Sequence, residues 1–96
     1  MRNRYLVAYD VVEPKRLRAT YRKLRGFGDP VQYSVFLCDL SAKERVLLND
    51  ALGKVVNQRE DRVLIVDLGP VDGRGQECIA TLGPAKPPGS PVAIVV

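Results

Sequence analysis

The feature that most limits what this chain can fold into is a change of period near its start. Tyr5-Leu6-Val7-Ala8-Tyr9 is a continuous apolar run of β-formers, as expected of a strand covered on both faces, and it stops at Asp10. Within four residues the spacing turns helical. Pro14, just beyond Glu13, suits a first turn, where its missing N–H costs nothing. From Lys15 to Arg25, Leu17, Tyr21 and Leu24 recur at i, i+4 and i+7. Lys15, Arg16, Arg18, Arg22, Lys23 and Arg25 all fall on the other side, which predicts a helix with a dry stripe and a cationic back. Gly26-Phe27-Gly28-Asp29-Pro30 stops it.

The alternation continues. Val31 to Leu40 is rich in β-branched and aromatic residues and long enough for a bent strand or two short ones. Ser41-Ala42-Lys43-Glu44 is a capping box, so a second helix starts there, with Leu47, Leu48, Ala51, Leu52 and Val55 as its apolar face and fraying expected near Asn57. Arg62 to Leu68 reads as another buried strand, closed by Gly69-Pro70. This order predicts a ferredoxin-like α+β sandwich over residues 1–70, one antiparallel-type sheet backed by two helices. From Gly69 onward ten of twenty-eight residues are Gly or Pro, which excludes a third helix from the C-terminal segment, residues 71–96. Within it, Cys78 to Leu82 offers an edge strand. Val92 to Val96 is too apolar to sit exposed and is expected to dock on a partner subunit.

Composition narrows the chemistry. Ninety-six residues hold one core, and none of them is histidine. A Ser/His/Asp or Cys/His relay, a His-bearing zinc site and an imidazole base are therefore excluded. Cys38 and Cys78 lie forty residues apart, with no further thiol or imidazole to complete a zinc knuckle or disulfide framework. The net charge is +4, and it is concentrated: residues 1–25 carry eight basic and two acidic side chains, the remaining seventy-one seven and nine. A polyanionic partner is the natural reading of such a footprint. With neither a signal-peptide core nor the roughly 18–20 apolar residues of a membrane span, a reducing cytoplasm is the expected setting.

Asp10 is the sharpest single position, an acid directly after a buried strand where loops gather. An acid there also serves simply to start a turn or cap the helix. Carboxylate oxygen is what Mg²⁺ prefers, and because that ion keeps several waters it needs only one or two carboxylates, which a two-fold dimer apposing two copies of Asp10 would supply. The six cations of the first helix suit a phosphate backbone, bound through charge with little regard to sequence, although a solvated helix surface is the plainer alternative. Tyr9, Tyr33 and Phe36 are candidates to stack on bases, though strand aromatics are usually core. Ser34 has no possible histidine activator, so it suits a bend or a hydrogen bond better than a nucleophile.

Taken in order, Tyr5-Leu6-Val7-Ala8-Tyr9-Asp10-Val11, Arg16-x-Arg18, Val31-Gln32-Tyr33-Ser34-Val35-Phe36 with Leu40-Ser41, and Glu60-Asp61-Arg62-Val63-Leu64-Ile65 resemble the second CRISPR-associated protein family, small adaptation-module proteins often described as metal-dependent endoribonucleases. The likeness spans about residues 4 to 68. It implies a homodimer of ferredoxin-like subunits, with a C-terminal strand exchanged onto the partner's sheet. It also implies Mg²⁺ or Mn²⁺ held between two copies of Asp10, cleavage of single-stranded RNA or double-stranded DNA, and bridging of two CRISPR integrase dimers during spacer acquisition. Tyr9, Asp10, Arg16, Arg18 and Phe36 carry over as activity or nucleic-acid positions. Tyr9 and Asp10 are thus the expected catalytic residues, Asp10 the metal ligand, and Arg16, Arg18, Arg22, Arg25 and Phe36 the nucleic-acid set. Pro30 stands where many members have a basic residue, and Leu37 where an acid or glycine is common; both bear on cleavage more than on binding. Two other function classes compete: a DNA-bridging scaffold without chemistry, and a ferredoxin-like regulatory domain for a small metabolite.

Overall fold

The computed structural model describes residues 1–84. Its elements are β1 (Asn3–Asp10), α1 (Pro14–Arg25), β2 (Asp29–Gln32), β3 (Val35–Leu40), α2 (Ala42–Gly53), β4 (Arg62–Pro70) and a single turn, α3 (Arg74–Glu77). The strands form one antiparallel sheet in the order β2-β3-β1-β4, the topology expected of a ferredoxin-like domain.

Each boundary has a local cause. Glu13 caps α1 by accepting the Arg16 N–H at 2.8 Å, with Pro14 in the first turn. In the α2 capping box the Ser41 N–H donates to Glu44 at 2.8 Å and the Glu44 N–H donates to Ser41 Oγ at 3.2 Å. The Val31–Leu40 run resolves into two short strands, because Ser34 takes φ = 65° and turns the chain between Gln32 and Val35, which pair. Pro30 falls on the sheet edge, where its missing donor is tolerated. Gly28 admits nothing larger: a Cβ there would stand 2.2 Å from the Leu37 carbonyl oxygen and 2.6 Å from Cys38 Sγ.

The core lies between one sheet face and the two long helices. Val7 and Tyr9 of β1 and Phe36, Cys38 and Leu40 of β3 meet Leu24 of α1 and Leu48 and Leu52 of α2, with Leu17, Tyr21, Val63 and Ile65 at the margin. Burial pushes the Cys38 thiol up to about 11. Thr20, also buried, satisfies its hydroxyl by donating to the Arg16 carbonyl at 2.8 Å. The apolar face of α2 is narrower than the sequence suggests, since Leu47 lies about half in solvent while Leu48 and Leu52 are buried.

The opposite sheet face is covered by neither long helix. Register places Leu6 beside Leu37 and Val66, and Ala8 beside Val35 and Leu64. Leu64 and Val66 remain 55% and 45% exposed. Ile79 to Leu82 line the far wall of a groove of about 420 Å³ over Leu6, Val35 and Leu37. The runs that read as strands buried on both faces are thus buried on one face within a single chain.

Two expectations for the C-terminal segment are corrected. A helix does form beyond Pro70: α3 packs against β1 and β4 because Gly75, whose Cβ would stand 2.7 Å from the Gly69 carbonyl oxygen, lets its backbone close in. Cys78 to Leu82 joins no strand of the sheet. Val92 to Val96 lies outside the described residues.

Candidate functional site

The rim where β1 ends gathers five segments: Asp10, the loop to α1, the Tyr33-Ser34 turn, the loop after α2 and the first residues of β4. The Tyr9 N–H donates to the Ser34 carbonyl at 3.1 Å, which ties the turn to the end of β1. On the other side Asp10 stands directly opposite Arg62 of β4.

Asp61 organises this rim. Its side chain is 0% exposed, and it accepts the N–H groups of Val12 at 3.0 Å and Asn57 at 2.8 Å. Arg16 completes the arrangement, with Nε 2.8 Å from one Asp61 oxygen and Nη2 3.3 Å from the other, while the same Nη2 reaches Glu60 at 3.0 Å. The Arg16 guanidinium and the two N–H donors hold the Asp61 carboxyl well below the usual carboxylate range, against the opposing effect of burial. Hydrogen bonds to Asp61 and Glu60 in turn raise Arg16. A clamp thus joins the loop after Asp10, the first turn of α1 and the loop before β4.

The structure therefore divides the expected site residues. Asp10 is exposed, and among the described residues its carboxylate makes no ion pair and no hydrogen bond. Arg16, expected as a phosphate ligand, is held in the Asp61 clamp: acids absent at helical spacing in α1 are supplied by the loop at residues 60 and 61. Phe36, expected in the nucleic-acid set, sits in the core. It is 0% exposed, with the Tyr9 ring at 6.2 Å and the Tyr21 ring at 5.4 Å, so its faces are closed to a base. Tyr33, 59% exposed on the rim, is the aromatic that is open.

Tyr9 and Asp10 are neighbours in sequence but not in space. Successive strand residues point to opposite faces, so Tyr9 enters the core while Asp10 belongs to the open face. Burial pushes the Tyr9 phenol up to about 12, so it holds its proton at neutral pH. Arg18, Arg22 and Arg25 are exposed along α1. At 1.5 Å per residue, Arg22 and Arg25 lie on the order of 12 to 16 Å along the axis from Pro14, away from the rim. They form a cationic track on the helix layer, separate from Asp10.

For a divalent cation, Asp10 is the uncommitted rim carboxylate among the described residues, because Glu13 caps α1 and Asp61 and Glu60 are engaged by Arg16. Among the described residues no three His, Cys, Asp or Glu side chains come together as a ligand cluster. That donor set fits a hard ion that keeps most of its waters and takes one carboxylate from each of two subunits.

These features define a basic ferredoxin-like α+β domain with an open apolar sheet face and a free acid at its rim. The family model described as CRISPR associated protein Cas2 matches residues 2–72, and the chain belongs to that family. It is 40% identical over 68 residues to a Rhodospirillum rubrum protein named CRISPR-associated endoribonuclease Cas2 1, covering 71% of this chain and 67% of that one. A Geobacter sulfurreducens protein named CRISPR-associated endoribonuclease Cas2 is 39% identical over 72 residues, 75% of this chain and 76% of its own. Among solved structures, Streptococcus pyogenes Cas2 superposes with a TM-score of 0.73 at 30% identity, covering 83% of this chain and 99% of that one. A hypothetical protein of Thermus thermophilus reaches a TM-score of 0.78 at 24% identity, over 92% and 99% of the two chains, a likeness of fold. Among the described residues no helix is long and apolar enough to cross a membrane.

Proposed function

We propose that this chain acts in CRISPR spacer acquisition as a homodimer that binds nucleic acid, bridges integrase dimers and hydrolyses phosphodiester bonds at a metal held between two copies of Asp10. The observation that carries this reading is the position of Asp10. A free carboxylate ends a central strand of the sheet, on the face that neither long helix covers and where Leu64 and Val66 are exposed. Packing two such faces about a two-fold axis would bury Leu64 and Val66 and bring the two Asp10 rims together.

Each group then has a part. Bound Mg²⁺ or Mn²⁺ would lower the pKa of its own water and so supply the nucleophile that a chain without histidine lacks. Asp10 would hold that ion through its carboxylate oxygens. The Asp61 clamp fixes the backbone of Val12 and with it the exit of β1. Tyr33 offers an open ring to a base, and Arg18, Arg22 and Arg25 offer charge to a phosphate backbone. The names of the relatives favour RNA as substrate. The buried Tyr9 and the lack, among the described residues, of any second rim acid free to act as base favour a scaffold without chemistry as the alternative.

The test is cleavage of single-stranded RNA and duplex DNA with and without Mg²⁺, comparing the wild type with Asp10→Ala and, for assembly, with Val66→Asp. Metal-dependent cleavage lost in Asp10→Ala and a monomeric Val66→Asp variant are expected. Cleavage that survives Asp10→Ala refutes the metal role, and binding without any cleavage leaves the scaffold.

A further inference from the structure

We propose that Arg62 is the phosphate-binding residue of the Asp10 site. The inference rests on the nucleic-acid reading above and goes beyond it, by assigning the scissile region's phosphate to one side chain. Asp10 and Arg62 are cross-strand partners of β1 and β4. Directly opposed residues in an antiparallel pair have Cβ atoms about 4.5–5.5 Å apart and share a face, so Arg62 rises beside the free carboxylate.

A second opposed acid–arginine pair on the same sheet face behaves differently. Arg4 and Asp39, opposite each other in β1 and β3, close a two-pronged ion pair, Nε to Oδ1 at 2.8 Å and Nη2 to Oδ2 at 3.0 Å. Among the described residues, Arg62 and Asp10 form no ion pair within 4.0 Å, and Arg62 makes no side-chain hydrogen bond. Arg16, the arginine that α1 brings to the rim, is consumed by Asp61 and Glu60. Arg62 is therefore an exposed guanidinium fork, next to the acid and without a side-chain partner among the described residues.

Its chemistry fits a phosphodiester. A carboxylate repels a polyanion, and a cation about 5 Å away offsets that repulsion where the phosphate must approach. The planar fork matches two phosphate oxygens with two parallel N–H donors, a geometry that an ammonium group cannot reproduce.

The experiment measures binding of a labelled single-stranded RNA oligonucleotide to the full chain as a function of salt, for wild type, Arg62→Gln, Arg62→Lys and Arg59→Gln. Arg59 is an exposed arginine three residues upstream, outside the sheet and with no cross-strand acid opposite it. Arg62→Gln is expected to lower the log–log salt slope by roughly 0.7, one phosphate of a single strand, relative to wild type, with Arg59→Gln unchanged. Arg62→Lys should keep the slope but lose cleavage rate, as a point charge replaces the fork. An unchanged slope in Arg62→Gln, or equal losses in Arg62→Gln and Arg59→Gln, overturns the assignment. So does dissociation of Arg62→Gln into monomers at unchanged slope, which would make Arg62 an interface residue. Failure of the wider reading looks different: the wild type itself would show no salt-dependent binding.

Discussion

Replacing Phe36 with leucine distinguishes a core aromatic from a base-stacking one. The ring is wholly enclosed and lies 6.2 Å from Tyr9 and 5.4 Å from Tyr21. Each aromatic pair contributes about 0.5–1.5 kcal/mol beyond its buried area, so losing both costs about 1–3 kcal/mol even where leucine fills most of the volume. Alanine would cost about 3–5 kcal/mol, a large share of a small domain's total stability of about 5–15, which makes leucine the usable change. In a chain of this size 1 kcal/mol moves the melting temperature by roughly 4–8 °C, so a drop on the order of 10 °C is expected. Circular dichroism melts give that number, and fluorescence anisotropy with a labelled RNA oligonucleotide at a temperature where both proteins are folded gives the affinity. The expected result is a lower melting temperature with affinity unchanged. A variant that melts like the wild type but binds weakly would refute the burial argument and return Phe36 to the nucleic-acid surface.

Asp61→Asn should expose the clamp through its pH dependence. The folded-state carboxyl titrates below its unfolded value of about 3.9, so its contribution is complete above that pH and is lost as the pH falls through the folded value. The gap in urea midpoint between wild type and Asp61→Asn should therefore be widest near pH 7 and narrow from about pH 4 to pH 2; a constant gap would contradict the ion pair. Arg16→Gln should lower the thermal midpoint and leave the salt dependence of RNA binding unchanged. Neutralising Arg18 and Arg22 together should do the opposite, reducing the log–log slope by roughly 0.7 for each phosphate of a single strand that is no longer neutralised.

The architecture was legible because local signals agreed with one another. The capping box at Ser41, the helical stripe of Leu17, Tyr21 and Leu24, and the Gly-Pro stop after Leu68 each mark a boundary that the structure keeps within a few residues. The site was less legible because it depends on contacts between distant residues. Arg16 and Asp61 are forty-five positions apart, and nothing in the spacing of α1 says that an acid will arrive from the loop before β4. The separation of Tyr9 from Asp10 is different: it follows from the pleat alone, and strand parity applied to the motif would have shown it. Arg62 was hidden by its own run, where it reads as the polar start of a buried strand; only the register of β4 on β1 sets it beside Asp10. α3 escaped because a Gly-rich stretch argues against a helix in isolation, whereas here Gly75 is what allows one turn to pack.

The burial of Cys38 has a practical consequence. With its thiol pushed up to about 11 and its sulfur enclosed, almost no thiolate forms there at neutral pH and no reagent reaches it. Cys78, the other thiol of the chain, is exposed. A thiol reagent added to the native protein should therefore count one fast-reacting group, and the second should become available only when β3 leaves the core. The slow phase of labelling would then measure how often the whole domain opens, an internal clock for global unfolding that requires no added probe.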